Sequence, residues 1–200
     1  LAAMQREVAV RCEPRAETAP GALEIDTVAL CGGSMEGAIV WALDATDIHS
    51  GWTEVRAVWN RGAHATREGL SDIESALPFT LKKLDFDNGS EFLNWHLVRY
   101  FQERPKRVGF TRSRPYHKND NGHVEQKNWT HVRKLMGYVR YDSDGALTAM
   151  NAVYADLRLL QNLFLPSVKL QRKERIGARL RRYYDAPQTP LERVRVCRQA

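Results

Sequence analysis

The sequence predicts a mixed α/β fold, a five-stranded mixed sheet with helices on both faces followed by a basic C-terminal extension. Three observations predict it. Three β-rich apolar runs follow one another across short turns between residues 22 and 59. Strand-like and helix-like segments then alternate to about residue 139, and the positive charge is concentrated after residue 168. With 43% hydrophobic residues in 200, the chain can bury a core of ordinary size.

Residues 1–20 mix charges with Pro14 and Pro20 without a sustained period and read as a linker. Ala22–Leu30 is the first strand, ended by the turn Gly32-Gly33. Gly37–Ala45, nearly all apolar, is the second; Trp52–Trp59 alternates apolar and polar as a half-buried edge strand does. Short turns make these three an antiparallel meander. Ala63–Leu77 has helix-forming composition, and Leu81–Phe86 is a short strand running into Asp87-Asn88-Gly89. Ser90 opens a helix with Glu91 in its first turn and Phe92, Trp95, Leu97, Val98 and Phe101 along it, stopped by Pro105. Val108–Thr111 is a fifth strand. A polar loop containing Pro115 leads to a helix from about Asn121 to Val139 carrying Val124, Trp129, Val132, Leu135 and Met136. Tyr154–Leu165 is a further helix, stopped by Pro166. This element order is that of an RNase H-like fold. It divides the chain into a linker (1–20), a core (21–145) and a helical, basic extension (146–200).

The net charge of +6 and the pI of 9.4 favour a polyanionic partner. Ten Lys or Arg against three acids after residue 168 give that segment +7, which leaves −1 for the rest and makes the tail a phosphate-binding arm. Cys12, Cys31 and Cys197 are too widely spaced for a zinc knuckle or a disulfide framework. No apolar stretch has the length of a membrane span. The expectation from cysteine usage and hydropathy is a cytoplasmic protein with no membrane partner.

Three acids stand where chemistry would use them. Asp26 interrupts an apolar strand, where a carboxylate must be paired, protonated, metal-bound or on a wet face beside Glu24. Asp87 ends a strand, where ligands of such sheets gather, although Asp-Asn-Gly is also a turn sequence. Glu125 lies early in a helix approached by Arg, His, Lys and Asn; singly it is a solvated Glu. Together, two strand-end acids and one helix acid suit a pair of hard cations, Mg²⁺ or Mn²⁺.

Several motifs carry a family resemblance. Leu23-Glu24-Ile25-Asp26-Thr27, Asp44–Glu54 (DATDIHSGWTE), Asp87–Phe92 (DNGSEF) and Arg114–Arg133 (RPYHKNDNGHVEQKNWTHVR) are similar to the catalytic core of retroviral-type integrases and bacterial insertion-sequence transposases. Asn162–Leu170 (NLFLPSVKL) and Tyr184–Pro190 (YDAPQTP) resemble the segment after that core in some of these transposases. The resemblance implies a DDE-type polynucleotidyl transferase whose metal-binding catalytic triad is Asp26, Asp87 and Glu125, using two ions for DNA integration and recombination. It implies DNA as substrate, both transposon ends and target, a homo-multimer assembled on it, and a bacterial, nucleoid-associated setting. Thirty-seven residues separate Asp87 from Glu125, close to the family's spacing. Asp85 is a competing second carboxylate on the same face. Seven residues after Glu125, where many members carry Lys or Arg, this chain has Val132.

Around the triad, Arg112, Arg114, His117, Lys118, Lys127 and Arg133 are expected phosphate contacts, with Asn119 and Asn128 reaching sugar or base edges. Trp129 is expected in the core rather than as a base-stacking platform. His123 and His131 are read as surface or DNA-proximal residues, with no Cys pair to complete a zinc site. A zinc module or helix-turn-helix is not visible and would lie upstream of Leu1. The alternatives are an RNase H-like nuclease that cuts without joining and a DNA-binding remnant without catalysis.

Overall fold

The computed structural model describes residues 8–10, 17–86, 89, 92, 94–114 and 122–199. The central sheet is built from β1 (Ala9–Val10), β2 (Ala22–Ala29), β3 (Val40–Asp47), β4 (Thr53–Trp59), β5 (Lys83–Phe86) and β6 (Gly109–Arg112), in the order β1-β6-β5-β2-β3-β4. The β2–β3 and β3–β4 pairs are antiparallel, while β5 joins β2, β6 joins β5 and β1 joins β6 in parallel. The meander is as the sequence predicts. The sheet has six strands rather than five, because Ala9 and Val10, inside the expected linker, pair with Thr111 and Arg112. Two residues are too few to show a period, so only the tertiary pairing reveals this strand.

Period-two alternation sends Leu23, Ile25, Leu43, Ala45, Leu84 and Phe86 into a core under α1 (Ala63–Ala76) and α2 (Trp95–Gln102). Burying each of the larger of these side chains contributes about 1.5–3 kcal/mol. In α1, Thr66, Gly69, Leu70 and Ile73 form the buried stripe, at the spacing of one helix face. Gly69 sits where a Cβ would come within 2.8 Å of the Leu43 side chain, so only glycine lets α1 approach this closely. Asn94, not Ser90, caps α2, its side chain accepting the Leu97 N–H at 2.9 Å; Ser90 and Glu91 lie outside the described residues. Trp95, in that helix's first turn, is exposed.

The opposite sheet face, with Val28, Val40, Ala42, Val55 and Ala57, packs against Val132, Met136, Met150 and Tyr154. These come from two helices. α3 runs from Gly122–Lys127 through a π-helical turn (Asn128–Arg133) into Lys134–Met136, and α4 runs from Asp144–Leu159 into a π-helical turn (Leu160–Phe164). α4 begins ten residues before the expected Tyr154. Ser143 caps it, accepting the Ala146 N–H at 3.2 Å, but its first turns bury little, so apolar periodicity misses them.

β4 is an outer strand whose free edge is closed by side chains rather than by another strand. Asn162 accepts the Thr53 N–H at 2.9 Å and donates to its carbonyl at 2.8 Å, and Asn151 does the same for Ala57 at 2.9 and 3.0 Å. Each carboxamide imitates a peptide group of a neighbouring strand.

The extension is helical at both ends, in α4 and in its last residues, with a β-ribbon between them. β7 (Leu170–Ile176) and β8 (Arg179–Tyr184) form a separate antiparallel hairpin, turned at Gly177 with φ of 59°, followed by α5 (Pro190–Gln199). No helix among the described residues is long and apolar enough to cross a membrane.

Candidate active site

The sheet face that α3 covers carries four carboxylates. Glu24 and Asp26 alternate on β2, Asp44 of β3 is the cross-strand partner of Asp26, and Asp85 of β5 is the partner of Glu24. Three of them are almost completely buried; only Asp26 is half-buried.

Each buried acid accepts at least one hydrogen bond. Glu24 lies under α3 rather than on a wet face, and its Oε2 accepts the backbone N–H groups of His123 at 2.9 Å and Val124 at 3.1 Å. It thereby satisfies two donors of the first helical turn and places its charge at the positive end of the helix. Asp85 accepts the Thr111 hydroxyl at 2.8 Å. Asp44 accepts the Thr46 hydroxyl at 3.4 Å, while its Oδ2 has no hydrogen-bond donor among the described residues. Burial therefore holds the Asp44 carboxyl well above the usual carboxylate range; the Lys127 ammonium opposes that rise and the charge of Asp26 adds to it. Lys127 is pushed below the ordinary lysine range by its own burial, with Asp44 opposing.

Asp26 is tied to the helix of Glu125. Its Oδ1 accepts the Thr27 N–H at 2.7 Å, and its Oδ2 accepts the Asn128 amide at 2.7 Å. Glu125 precedes Asn128 by three residues in α3, so the two project from the same side of the helix about one turn apart. Glu125 itself is exposed. Asp87 lies outside the described residues; Phe86, which precedes it, pairs with Ile25, which precedes Asp26.

The hairpin after β3 is fixed by Asp47, whose carboxylate accepts the N–H of Gly21 at 2.8 Å and the N–H and hydroxyl of Ser50 at 2.7 and 2.6 Å. The Asp-Ile-His-Ser-Gly-Trp stretch thus has a structural role in closing this turn.

The residues expected around the triad divide into groups. His117, Lys118 and Asn119 lie outside the described residues. Arg114 is exposed, whereas Arg112 turns toward β1 and donates to the Val8 carbonyl at 3.3 Å. Lys127 and Asn128 face inward, to Asp44 and Asp26, and the Arg133 guanidinium stacks 4.9 Å from the Tyr138 ring. His131 is not a surface residue: it is buried, and desolvation, with Lys127 nearby, pushes its pKa down to about 3. Trp129 is 52% exposed and does not belong to the core. It follows Val124 by five residues, about 140° around the helix at 100° per residue, which turns it off the buried face.

From sequence alone Asp44 has no role and Asp85 only competes with Asp87. Their signal was the shared parity of acids on neighbouring strands, which becomes meaningful only once the register is known. Among the described residues, no three His, Cys, Asp or Glu side chains form a metal-sized cluster; the third acid of the expected triad is outside them.

No family model matches the sequence. The "Uncharacterized protein y4rM" of Sinorhizobium fredii (strain NBRC 101917 / NGR234) is 42% identical over 174 residues, 87% of this chain and 49% of that protein. The chain thus spans about half the length of the curated relative it matches. Among solved structures, the catalytic core domain of BIV integrase superposes with a TM-score of 0.56 at 16% identity, over 89% of this chain and 95% of that one. The HTLV-2 integrase catalytic core domain in complex with magnesium, in its dimeric form, gives 0.55 at 13% identity, over 76% and 93%. A chain of the simian T-cell lymphotropic virus intasome in complex with the PP2A regulatory subunit B56 gamma gives 0.56 at 14%, over 78% and 53%. At these identities the likeness is one of architecture: this chain has the RNase H-like fold of the integrase catalytic cores.

Proposed function

We propose that the chain is the catalytic core of a DDE-type DNA transposase or integrase of the bacterial insertion-sequence kind, with Asp26, Asp87 and Glu125 as its metal-holding acids. The observation that carries this reading is the hydrogen bond from Asn128 to Asp26, which docks the helix of Glu125 onto the strand of Asp26 across 102 residues of sequence. The donor set fits Mg²⁺ or Mn²⁺, since half-buried Asp26 and exposed Glu125 offer hard carboxylate oxygens that are not sealed from solvent. Two such ions, when bound, activate an attacking oxygen and stabilise the leaving oxygen of an in-line phosphoryl displacement.

The chain's own residues do the positioning. Asn128 orients one Asp26 oxygen, Glu24 fixes the start of α3, and the Lys127 ammonium partly compensates the buried Asp44 carboxyl. Water opens a phosphodiester at a transposon end, and the freed 3′-hydroxyl attacks target DNA without a covalent protein intermediate. The dimeric and intasome assemblies of the structural neighbours support a multimer on DNA.

The test is nicking and joining of short duplexes with Mg²⁺ or Mn²⁺. Asp26→Asn, Asp87→Asn and Glu125→Gln should each lose at least about a hundredfold in joining, because each removes several kcal/mol of charge stabilisation, yet still bind DNA. Variants as active as the native chain would refute the triad; cutting without joining would favour the nuclease.

A further inference from the structure

We infer that the β7–β8 hairpin is an arm that lies in a groove of duplex DNA, with Lys173, Arg175 and Arg182 on the phosphates. The inference rests on the reading of the chain as a DNA enzyme for the nature of its polyanion, and on the hairpin's geometry for everything else.

The base of the hairpin is locked to the core. Ser167 and Gln188 exchange backbone hydrogen bonds at 2.9 and 3.1 Å, and the Asp185 carboxylate accepts the Lys169 N–H and an Arg193 guanidinium N–H, each at 2.5 Å. The Arg193 guanidinium also donates to the Ser167 carbonyl, and the Lys169 ammonium donates to the carbonyls of Ile48 and His49 in the turn before β4. Beyond this clamp, nearly every residue from Leu170 to Tyr184 is exposed on both faces of the ribbon. An isolated two-stranded ribbon gains little stability of its own, so a projecting one calls for a partner.

The two faces differ in charge. On one, Glu174 lies opposite Arg181 and accepts the Tyr183 hydroxyl at 2.8 Å, while Arg172 and Arg181 stack over the Tyr183 ring at 4.0 and 5.0 Å. Arg172 and Arg181 are thus satisfied within that face, which also carries Arg179 opposite Ile176. On the other, Lys173 is directly opposite Arg182, and Arg175 follows two residues on, with no acid among them. Like charges facing each other across a ladder destabilise it, unless an anion lies over both. Exposed Leu180 and Tyr184 complete this face and supply apolar contact between the cations. The major groove of B-DNA, about 12 Å wide, admits a two-stranded ribbon, and cations on both strands then reach phosphates on both walls.

The experiment is binding of a 30-base-pair duplex to the full chain in EDTA, by fluorescence anisotropy across a salt series. Lys173→Gln/Arg175→Gln/Arg182→Gln should lower the slope of log K against log salt by about 2.7, the value for three lost phosphate contacts. Arg172→Gln/Arg181→Gln, on the satisfied face, should change it by less than about 1. An unchanged slope in the triple variant, an equal fall in the double variant, or equal binding and equal loss on a single strand of the same sequence would each overturn the assignment. Because the readout needs no metal, failure of the arm leaves the Asp26→Asn and Glu125→Gln joining assay to judge the active site separately.

Discussion

The carboxylate of Glu24, in the middle of a strand, accepts the backbone N–H of Val124 at 3.1 Å, in the first turn of a helix a hundred residues later. With the His123 N–H on the same oxygen, one buried acid sets where the helix of Glu125 begins. Glu24→Gln keeps an acceptor for both amides and should cost about 1 kcal/mol, whereas Glu24→Leu orphans them and should cost about 2–4 kcal/mol. Urea unfolding of the two variants checks this; equal small losses would mean that the cap contributes little.

Asp44 and Lys127 compensate each other inside the site. Lys127→Met alone should destabilise by about 3 kcal/mol because it strands a buried carboxylate, while Lys127→Met combined with Asp44→Asn should return close to native stability. The single variant also deepens a pH signature that the native chain already carries. The folded state holds the Asp44 proton more tightly than the unfolded chain does, and more so without Lys127, so this contribution to stability is complete below the ordinary carboxylate range and is lost as pH rises from there through the raised folded pKa. A double-mutant cycle read at two pH values tests both statements.

His131 titrates the other way. Its folded pKa of about 3 lies below its unfolded value, so the unfolded chain takes up the proton first on acidification. Stability contributed by the neutral ring is complete above about pH 6.5 and is lost as pH falls toward about 3, by up to about 3–5 kcal/mol. His131→Gln should flatten the stability profile in that window. A profile as steep as the native one would place the acid sensitivity in other groups.

The edge of β4 offers a structural test. Asn162→Ala removes the only hydrogen-bond acceptor found for the Thr53 N–H among the described residues and should cost about 2 kcal/mol. Gln161→Ala should cost less, about 1 kcal/mol, because the Thr53 carbonyl keeps its bond from Asn162. Thermal unfolding separates the two, and the reverse ranking would show that the carboxamide does not stand in for a strand.

Period-two alternation, turn residues and apolar runs were enough to read the meander, the next two strands and the helix between them, because each depends on residues close in sequence. The same cues failed where the signal was short or weakly apolar. Ala9 and Val10 pair only because β6 is there to receive them, and α4 starts at the cap Ser143 instead of at its first large apolar residue. The charged tail folds into a ribbon followed by a helix, which its charge alone does not specify, since charge does not set backbone period.

At the site, the sequence by itself determined which acids and amides are present and that Asp26 and Glu125 stand in motifs resembling those of a polynucleotidyl transferase. The tertiary structure alone decided what touches what. Strand register made Asp44 the partner of Asp26, and helix docking brought Asn128 to Asp26 and Glu24 to the start of α3. Helix rotation then turned Trp129 out and His131 in. The reason is physical: local periodicity specifies which way a side chain points from its own element, but which buried charge is compensated by which partner depends on contacts between segments a hundred residues apart.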